Sequence, residues 1–346
     1  DEIPFDFSRR RLSVIVSDGE KRQLITKGAV EEILSICTMV DYKGQVSKIT
    51  KEIKDKIVIE SVGGSAYRTL SRVLKKLDIS DKFTWFDTEE DSFFHSIGKY
   101  DHTPKGEKAF YDYSVDATVV AKKRSGEKFF PVIETMHYDE RLTKLPVGTA
   151  VLITDPDHDR LTVTQTEKAD KISELEKAGI DYVRLNNDLI LTVFTANQAF
   201  LMLMDFWSKQ LKSQNLWNNH PRFMIKTTAS AISWDEWAKK QGIKVVNVPV
   251  GFKEIANIMK KVELKLKNNP EKEVIIDDVL GNSINLGVNP RLVFAGEESG
   301  GMIMGTEELI KSQNGRFAIA MREKSATEAI IVASALLAKL QKEQTP

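Results

Sequence analysis

From residue 57 to residue 342 the chain alternates short apolar runs with longer segments of helical period. Runs of about four to eight apolar residues suit strands buried on both faces. Apolar positions three and four apart suit helices with one buried face. A chain with this alternation has one economical solution, helices layered on sheets. Residues 57–59 (Ile-Val-Ile) predict a strand, and a helix is expected from about Ser65 to Leu77, with Leu70, Val73, Leu74 and Leu77 on one side. Strands are expected at 149–153, 161–164, 223–226, 244–248 and 291–295, and helices at 172–178, 195–211, 231–241 and 252–266. A long amphipathic helix is expected from about Arg316 to Lys342. The expected class is α/β, with mixed, largely parallel sheets flanked by helices.

Before residue 57 the pattern differs. Residues 12–17 and 22–26 are β-rich and flank Ser17-Asp18-Gly19-Glu20, a hairpin signal because Gly19 tolerates positive φ. A short helix is expected at 29–37, with Ile33, Leu34 and Cys37 on one side. Residues 41–56 carry Lys43, Lys48, Lys51, Lys54 and Lys56 and read as a connecting stretch. Residues 87–109 read as a long polar and aromatic loop.

Composition narrows the function classes. The 346 residues suggest two or three domains at about 150 residues each. Lys+Arg and Asp+Glu are both 50, so the chain lacks the basic footprint of a general nucleic-acid binder. The single cysteine, Cys37, excludes an intrachain disulfide framework and fits a reducing, cytoplasmic compartment. The apolar run 329–340 is broken by Ser334 and Lys339 and is too short to span a bilayer, so no membrane partner is expected. The acidic start with Pro4 does not suit a signal peptide, and the missing initiator Met suggests a fragment or a processed chain.

The sharpest chemical signal is Thr154-Asp155-Pro156-Asp157-His158-Asp159-Arg160, between two expected strands. Carboxylates at alternate positions of a turn stiffened by proline can converge on one point. Their mutual repulsion is relieved by a cation, and Mg²⁺ prefers such hard oxygen ligands. Arg160 suits a phosphate oxygen. An EF-hand loop also begins Asp-x-Asp-x-Asp, but needs Gly sixth and Glu twelfth, where Arg160 and Thr166 stand. One His beside three Asp suits Mg²⁺ or Mn²⁺ better than a softer transition metal. A solvated acidic turn is the bland alternative.

Gly296-Glu297-Glu298-Ser299-Gly300-Gly301 suits a sugar, because glycines admit close backbone approach and Glu297 and Ser299 can bond hydroxyls. A plain turn would read the same. Lys253, after Gly251-Phe252 at a helix start, could meet phosphate, or be a surface lysine. Trp234 and Trp237, three apart, read as packing residues. His95, His102, His137 and His220 show no partner pattern.

Residues 155–160 resemble the metal-binding loop of the α-D-phosphohexomutases, the phosphoglucomutase and phosphomannomutase family, whose usual pattern is Asp-x-Asp-Gly-Asp-Arg or has Ala for Gly. His158 departs from it. Residues 296–301 resemble the family's sugar-binding loop, and Val250-Gly251-Phe252-Lys253 its third-domain turn, in the family's order and spacing. The resemblance covers roughly residues 57–340. It implies transfer of phosphate between the 1- and 6-positions of a hexose phosphate, with Mg²⁺ on Asp155, Asp157 and Asp159. Arg160 and Lys253 would be catalytic, and Glu297, Ser299 and Gly251 would bind substrate. Thr228-Ala229-Ser230 lacks the His-Asn-Pro that follows the family's phosphoserine, so Ser230 reads as a helix N-cap. Gly305-Thr306-Glu307 lacks the arginine and serine of the final phosphate clamp. Both outer mutase domains are therefore expected to be missing, and mutase turnover absent.

Residues 3–14 (Ile-Pro-Phe-Asp-Phe-Ser-Arg-Arg-Arg-Leu-Ser-Val) and Lys27-Gly28-Ala29 resemble the nucleotide-binding domain of a magnesium-transporting P-type ATPase. That resemblance implies ATP held by Phe5, stacked on adenine, and by Lys27. An edge hairpin with an arginine-rich face is the alternative. About 40 residues are too few for a stable core alone. The expected division is an ATPase-like fragment and connector at 1–56, a metal-binding mutase-like domain at 57–215 and a sugar-binding mutase-like domain at 216–346. The alternative function is an ATP-binding module of a transport ATPase.

Overall fold

The computed structural model describes residues 57–92, 130, 132, 136–313 and 317–343 in full, and elsewhere the backbone of short strands. Among the described residues, five strands precede residue 57. β1 (Glu2–Asp6), β2 (Arg11–Asp18) and β3 (Lys21–Gly28) form an antiparallel sheet in that order. The β2–β3 register, Asp18 opposite Lys21, is the hairpin expected around Gly19. β4 (Met39–Tyr42) and β5 (Gln45–Lys48) make a second hairpin, which overlaps the start of the stretch read as a connector. The helix expected at 29–37 lies outside the described residues.

β6 (Ile57–Glu60), α1 (Ala66–Lys76) and β7 (Thr84–Trp85) follow as a parallel strand–helix–strand unit. Two short hairpins pair β8 (Lys99–Asp101) with β9 (Ala109–Tyr111), and β10 (Ala121–Lys122) with β11 (Lys128–Phe129). β8 falls within the segment read as a loop. The chain then runs through α2 (Tyr138–Leu142), β12 (Ala150–Thr154), β13 (Leu161–Lys168), α3 (Ile172–Ala178), β14 (Asp181–Arg184) and β15 (Leu189–Phe194). These strands build one six-stranded sheet in the order β14-β15-β13-β12-β6-β7.

α4 (Ala196–Ser213) leads into the second unit, which contains β16 (Arg222–Thr227), α5 (Ile232–Gln241), β17 (Lys244–Val248) and α6 (Phe252–Asn268). After the hairpin β18 (Glu273–Asp277) and β19 (Ser283–Val288) come β20 (Arg291–Gly296) and β21 (Met302–Met304). The pair β22 (Ile310–Lys311) and β23 (Phe317–Ala318) precedes α7 (Ala326–Lys342). The sheet order is β17-β16-β20-β21. The fold is thus mixed α/β, with helices flanking the sheets. Parallel pairing prevails in the second sheet, and antiparallel pairing in the first.

Side-chain alternation decides the packing, because neighbouring strand residues face opposite ways. Ile57 and Ile59 enter one core, while Val58 enters another with Val151 and Ile153. Met224 and Phe294 join the core of Ile57, Leu152 and Leu161, whereas Phe223, Ile225 and Leu292 pack on α6. One apolar core therefore continues from the first sheet to the second, through Phe200 of α4, Trp234 of α5 and Ile330 of α7. Trp234 is fully buried, and its indole N–H donates to Asn197 O, as expected of a packing residue.

Two boundaries differ from expectation. The last helix starts at Ala326, not near Arg316, because β23 and the turn after it occupy residues 317–325. Ala231, not Ser230, caps α5; the Ser230 hydroxyl instead meets Thr227 Oγ1 at 2.9 Å. Among the described residues no helix is long and apolar enough to cross a membrane.

Candidate active site

β12 and β13 pair up to Thr154 opposite Leu161, so residues 155–160 form the turn at the end of the ladder. The turn is organised from within. Asp155 Oδ1 accepts the backbone N–H groups of Asp159 and Arg160, each at 2.9 Å, and His158 N–H donates to Asp155 O at 3.0 Å. The β6–α1 loop supports it from outside. Ser65 N–H donates to Pro156 O at 2.9 Å, and a Cβ on Gly64 would stand 2.3 Å from that oxygen, so only glycine fits there.

Asp155, Asp157 and Asp159 each present a carboxylate oxygen, and these lie within 4.8 Å of one another. Asp155 is buried, and its pKa is pushed up to about 7, first by that burial. The hydrogen bond and charge of Asp157 and the charge of Asp159 raise it further, against the opposing Arg160 N–H. Asp159 Oδ1 is buried and accepts no hydrogen bond. Converging carboxylates, one of them with an unsatisfied buried oxygen, fit a hard divalent cation, which would offset both repulsion and desolvation. Arg160 folds over the cluster, its Nε 3.5 Å from Asp155 Oδ2 and 3.7 Å from Asp159 Oδ1.

The His158 ring is hydrogen-bonded to α7. Burial pulls its pKa down to about 4, against the charges of Asp157 and Asp159, so the imidazole is neutral at pH 7. Its Nε2 shares a 2.8 Å hydrogen bond with Thr327 Oγ1. The backbone there is left-handed, with φ 61°, the conformation glycine adopts at least cost.

The β20–β21 turn packs directly on this loop. Leu161 N–H donates to Gly300 O at 3.1 Å, and a Cβ on Gly300 would lie 3.3 Å from Arg160 Cβ. Glu297 is 5% exposed, Ser299 is half-buried, and Glu298 Oε2 accepts the Thr227 hydroxyl at 2.6 Å. Lys324 joins the two loops: its Nζ lies 3.2 Å from Asp159 Oδ2 and 3.1 Å from Glu297 Oε1.

The structure therefore brings together Asp155, Asp157, Asp159 and Arg160, with Glu297 joined to them through Lys324. It does not bring Lys253 to them. That side chain is 83% exposed, 3.9 Å from Glu254, while its neighbour Phe252 lies under Lys324. Gly251 caps α6 at φ 121°. Phe5 and Lys27 sit on β1 and β3, and their side chains lie outside the described residues. Sequence reasoning missed Lys324. It stands in Arg322-Glu323-Lys324, which reads as the polar face of a helix when that helix is started at 316. With the helix starting at 326, the lysine precedes the N-cap and points back to the loops.

The described structure is thus of the mixed α/β class, with an acidic, cation-type loop set against a glycine-rich loop. Residues 197–345 match the phosphoglucomutase/phosphomannomutase alpha/beta/alpha domain III, and residues 1–96 match the P-type ATPase cytoplasmic domain N. The chain therefore resembles two families, the phosphohexomutases and the P-type ATPases. Over 47 residues it is 53% identical to magnesium-transporting ATPase, P-type 1, of Escherichia coli (strain K12), covering 13% of this chain and 5% of that one. A Thermus thermophilus protein assigned as a phosphomannomutase superposes at TM-score 0.43 and 16% identity, over 85% of this chain and 44% of that one. Aspergillus fumigatus N-acetylphosphoglucosamine mutase, solved with GlcNAc-6P and magnesium, superposes at TM-score 0.42 and 9% identity, over 86% and 46%. The chain thus spans a small fraction of the transport ATPase and less than half of the solved mutases. Residues 57–60 and 84–85, inside the ATPase match, are strands of the six-stranded sheet.

Proposed function

We propose that residues 57–215 and 216–346 act as the metal-binding and sugar-binding domains of a phosphohexomutase-type isomerase, which moves phosphate between the 1- and 6-positions of a hexose phosphate. The Lys324 bridge between Asp159 and Glu297 carries this reading, because it sets a cation-type loop and a hydroxyl-binding loop in one place. Asp155, Asp157 and Asp159 would hold Mg²⁺, which when bound supplies charge neutralisation for a transferring phosphoryl group. Arg160 binds phosphoryl oxygens by charge-assisted hydrogen bonds. Glu297 and Ser299 take the sugar hydroxyls, with Lys324 holding the Glu297 carboxylate between them and the acidic loop. Lys253 and Gly251 are proposed to act from outside the cluster, the exposed lysine reaching phosphate on a bound sugar. The phosphoserine loop of the family is not found in the sequence, so this polypeptide is proposed to bind but not to turn over. The single Cys37 supports a cytoplasmic setting.

The test is ³¹P NMR of a hexose 6-phosphate with the Mn²⁺-loaded protein. Paramagnetic broadening that is lost in Glu297→Ala supports the reading. No broadening, or broadening unchanged in Glu297→Ala, contradicts it, and robust turnover in a coupled mutase assay contradicts the proposed inactivity.

A second reading applies to residues 1–56, and the 47-residue match to the magnesium-transporting ATPase favours it. We propose that this segment derives from a nucleotide-binding domain, with Phe5 and Lys27 as its ATP contacts. Protection of Lys27 from amine labelling by an ATP analogue supports it, and unchanged labelling contradicts it.

A further inference from the structure

His158 replaces the small residue usual at its place in the acidic loop, and the structure gives its ring a bond that a small residue could not make, beside a backbone bond that any residue could. The first N–H groups of a helix have no partner inside the helix. Ser325, the N-cap of α7, makes no side-chain capping bond. The Ala326 N–H instead donates to the carbonyl of His158 at 3.1 Å. One residue on, Thr327 Oγ1 and His158 Nε2 share their 2.8 Å bond, buried on both sides. The other ring nitrogen, Nδ1, is buried without a hydrogen-bond partner, so the Thr327 contact alone fixes the ring by hydrogen bonding. The same helix start carries Lys324, bonded to Asp159 next to His158. Three contacts thus pin the acidic loop of the first unit to the start of α7 in the second.

We propose that His158 is a positioning residue. Through Thr327 and the Ala326 N–H it clasps the acidic loop onto α7 and holds Asp157 and Asp159, its chain neighbours, in cation-binding geometry. The clasp couples metal affinity to the docking of the two units. Because such coupling is reciprocal, a bound cation stabilises the docked α7. This inference rests on the metal site of the proposed function.

The test is Mn²⁺ affinity, read from the EPR signal of the free ion, for the full chain and four variants. Thr327→Val removes the hydroxyl at constant shape and leaves the acidic loop untouched. His158→Asn tolerates the left-handed backbone but is too short to reach Thr327. Each is expected to weaken Mn²⁺ binding about three- to tenfold, the usual worth of one hydrogen bond. The double variant is expected to be no weaker than the weaker single one, and Thr327→Ser to bind like the parent. Single variants that bind like the parent while melting earlier overturn the clasp and leave the metal site standing. Losses that simply multiply in the double variant also overturn it. A parent chain that binds no Mn²⁺ removes the metal site, and the clasp with it.

Discussion

Charged side chains gather at both ends of β16 and β20, and the two gatherings behave differently. At the amino ends, Arg222 and Arg291 are buried and their bonding is well met. Arg222 pairs with both oxygens of Glu307 and donates to the carbonyls of Leu216 and Trp217. Arg291 donates to Glu307 O, Asn289 and Pro290 O. At the carboxyl end, Glu297 leads into the acidic loop, where Asp159 Oδ1 is left without a hydrogen bond and the pKa of Asp155 is held near 7. Burial of charge is common to both ends, and saturation separates them. A cluster whose polar atoms are met by protein acts as a tie. One with an unmet buried oxygen still lacks a partner, which a cation could supply.

The contrast can be broken by substitution. The largest effect is expected at the saturated end. Arg222→Met leaves Glu307 without its cation and should cost about 3–5 kcal/mol in urea unfolding. If the two ends are independent, the Mn²⁺ affinity of the folded variant is unchanged; a large loss of affinity would merge them.

Glu60, at the end of β6, is a buried carboxyl of intermediate kind. It accepts the Val62 N–H at 2.8 Å and the Tyr138 hydroxyl at 3.2 Å, yet burial raises its pKa from 4.5 to about 7. The folded chain thus keeps this proton up to about pH 7, whereas the unfolded chain gives it up near 4.5. Folding takes up a proton between those values, so this group's contribution falls as pH rises through the interval. Glu60→Gln is expected to be more stable than the parent at pH 8 by up to about 3 kcal/mol. The gain should vanish below about pH 4.5, as followed by urea unfolding across the pH range. A gain that is the same at pH 4 and pH 8 would show that folding does not shift the Glu60 titration.

Smaller effects probe the unsaturated end. Lys324→Met removes the cation shared by Asp159 and Glu297 and should cost about 1–3 kcal/mol without metal. Added Mn²⁺ should recover part of that loss, since a divalent ion can take the place of the ammonium against Asp159. Unfolding midpoints with and without Mn²⁺ decide the point. Lys253→Met should stay within about 0.5 kcal/mol of the parent, as expected of an exposed side chain.

Much of this was legible in the sequence where a signal is local. The strand at 244–248 and the helix at 172–178 follow from periodicity alone, and the three aspartates declare themselves by spacing. What periodicity could not supply was the meeting of distant segments. Lys324 was invisible because its role depends on where α7 begins, and that is set by β23 and the turn after it. Ser230 suggested a cap by residue type, but the Thr227 hydroxyl claims its side chain. His158 showed only as a departure from a pattern, because its partner Thr327 lies 169 residues away.

The central claim is that the acidic loop is a cation site and not a saturated tie. The most direct measurement is an EPR titration of the full chain with Mn²⁺, repeated on Asp157→Asn, an exposed position whose substitution should leave the fold intact. The account predicts one Mn²⁺ bound by the parent and a loss of at least about tenfold in affinity in the variant, as for removal of a charged ligand. Equal titrations for the two proteins, or no binding by the parent, would contradict it.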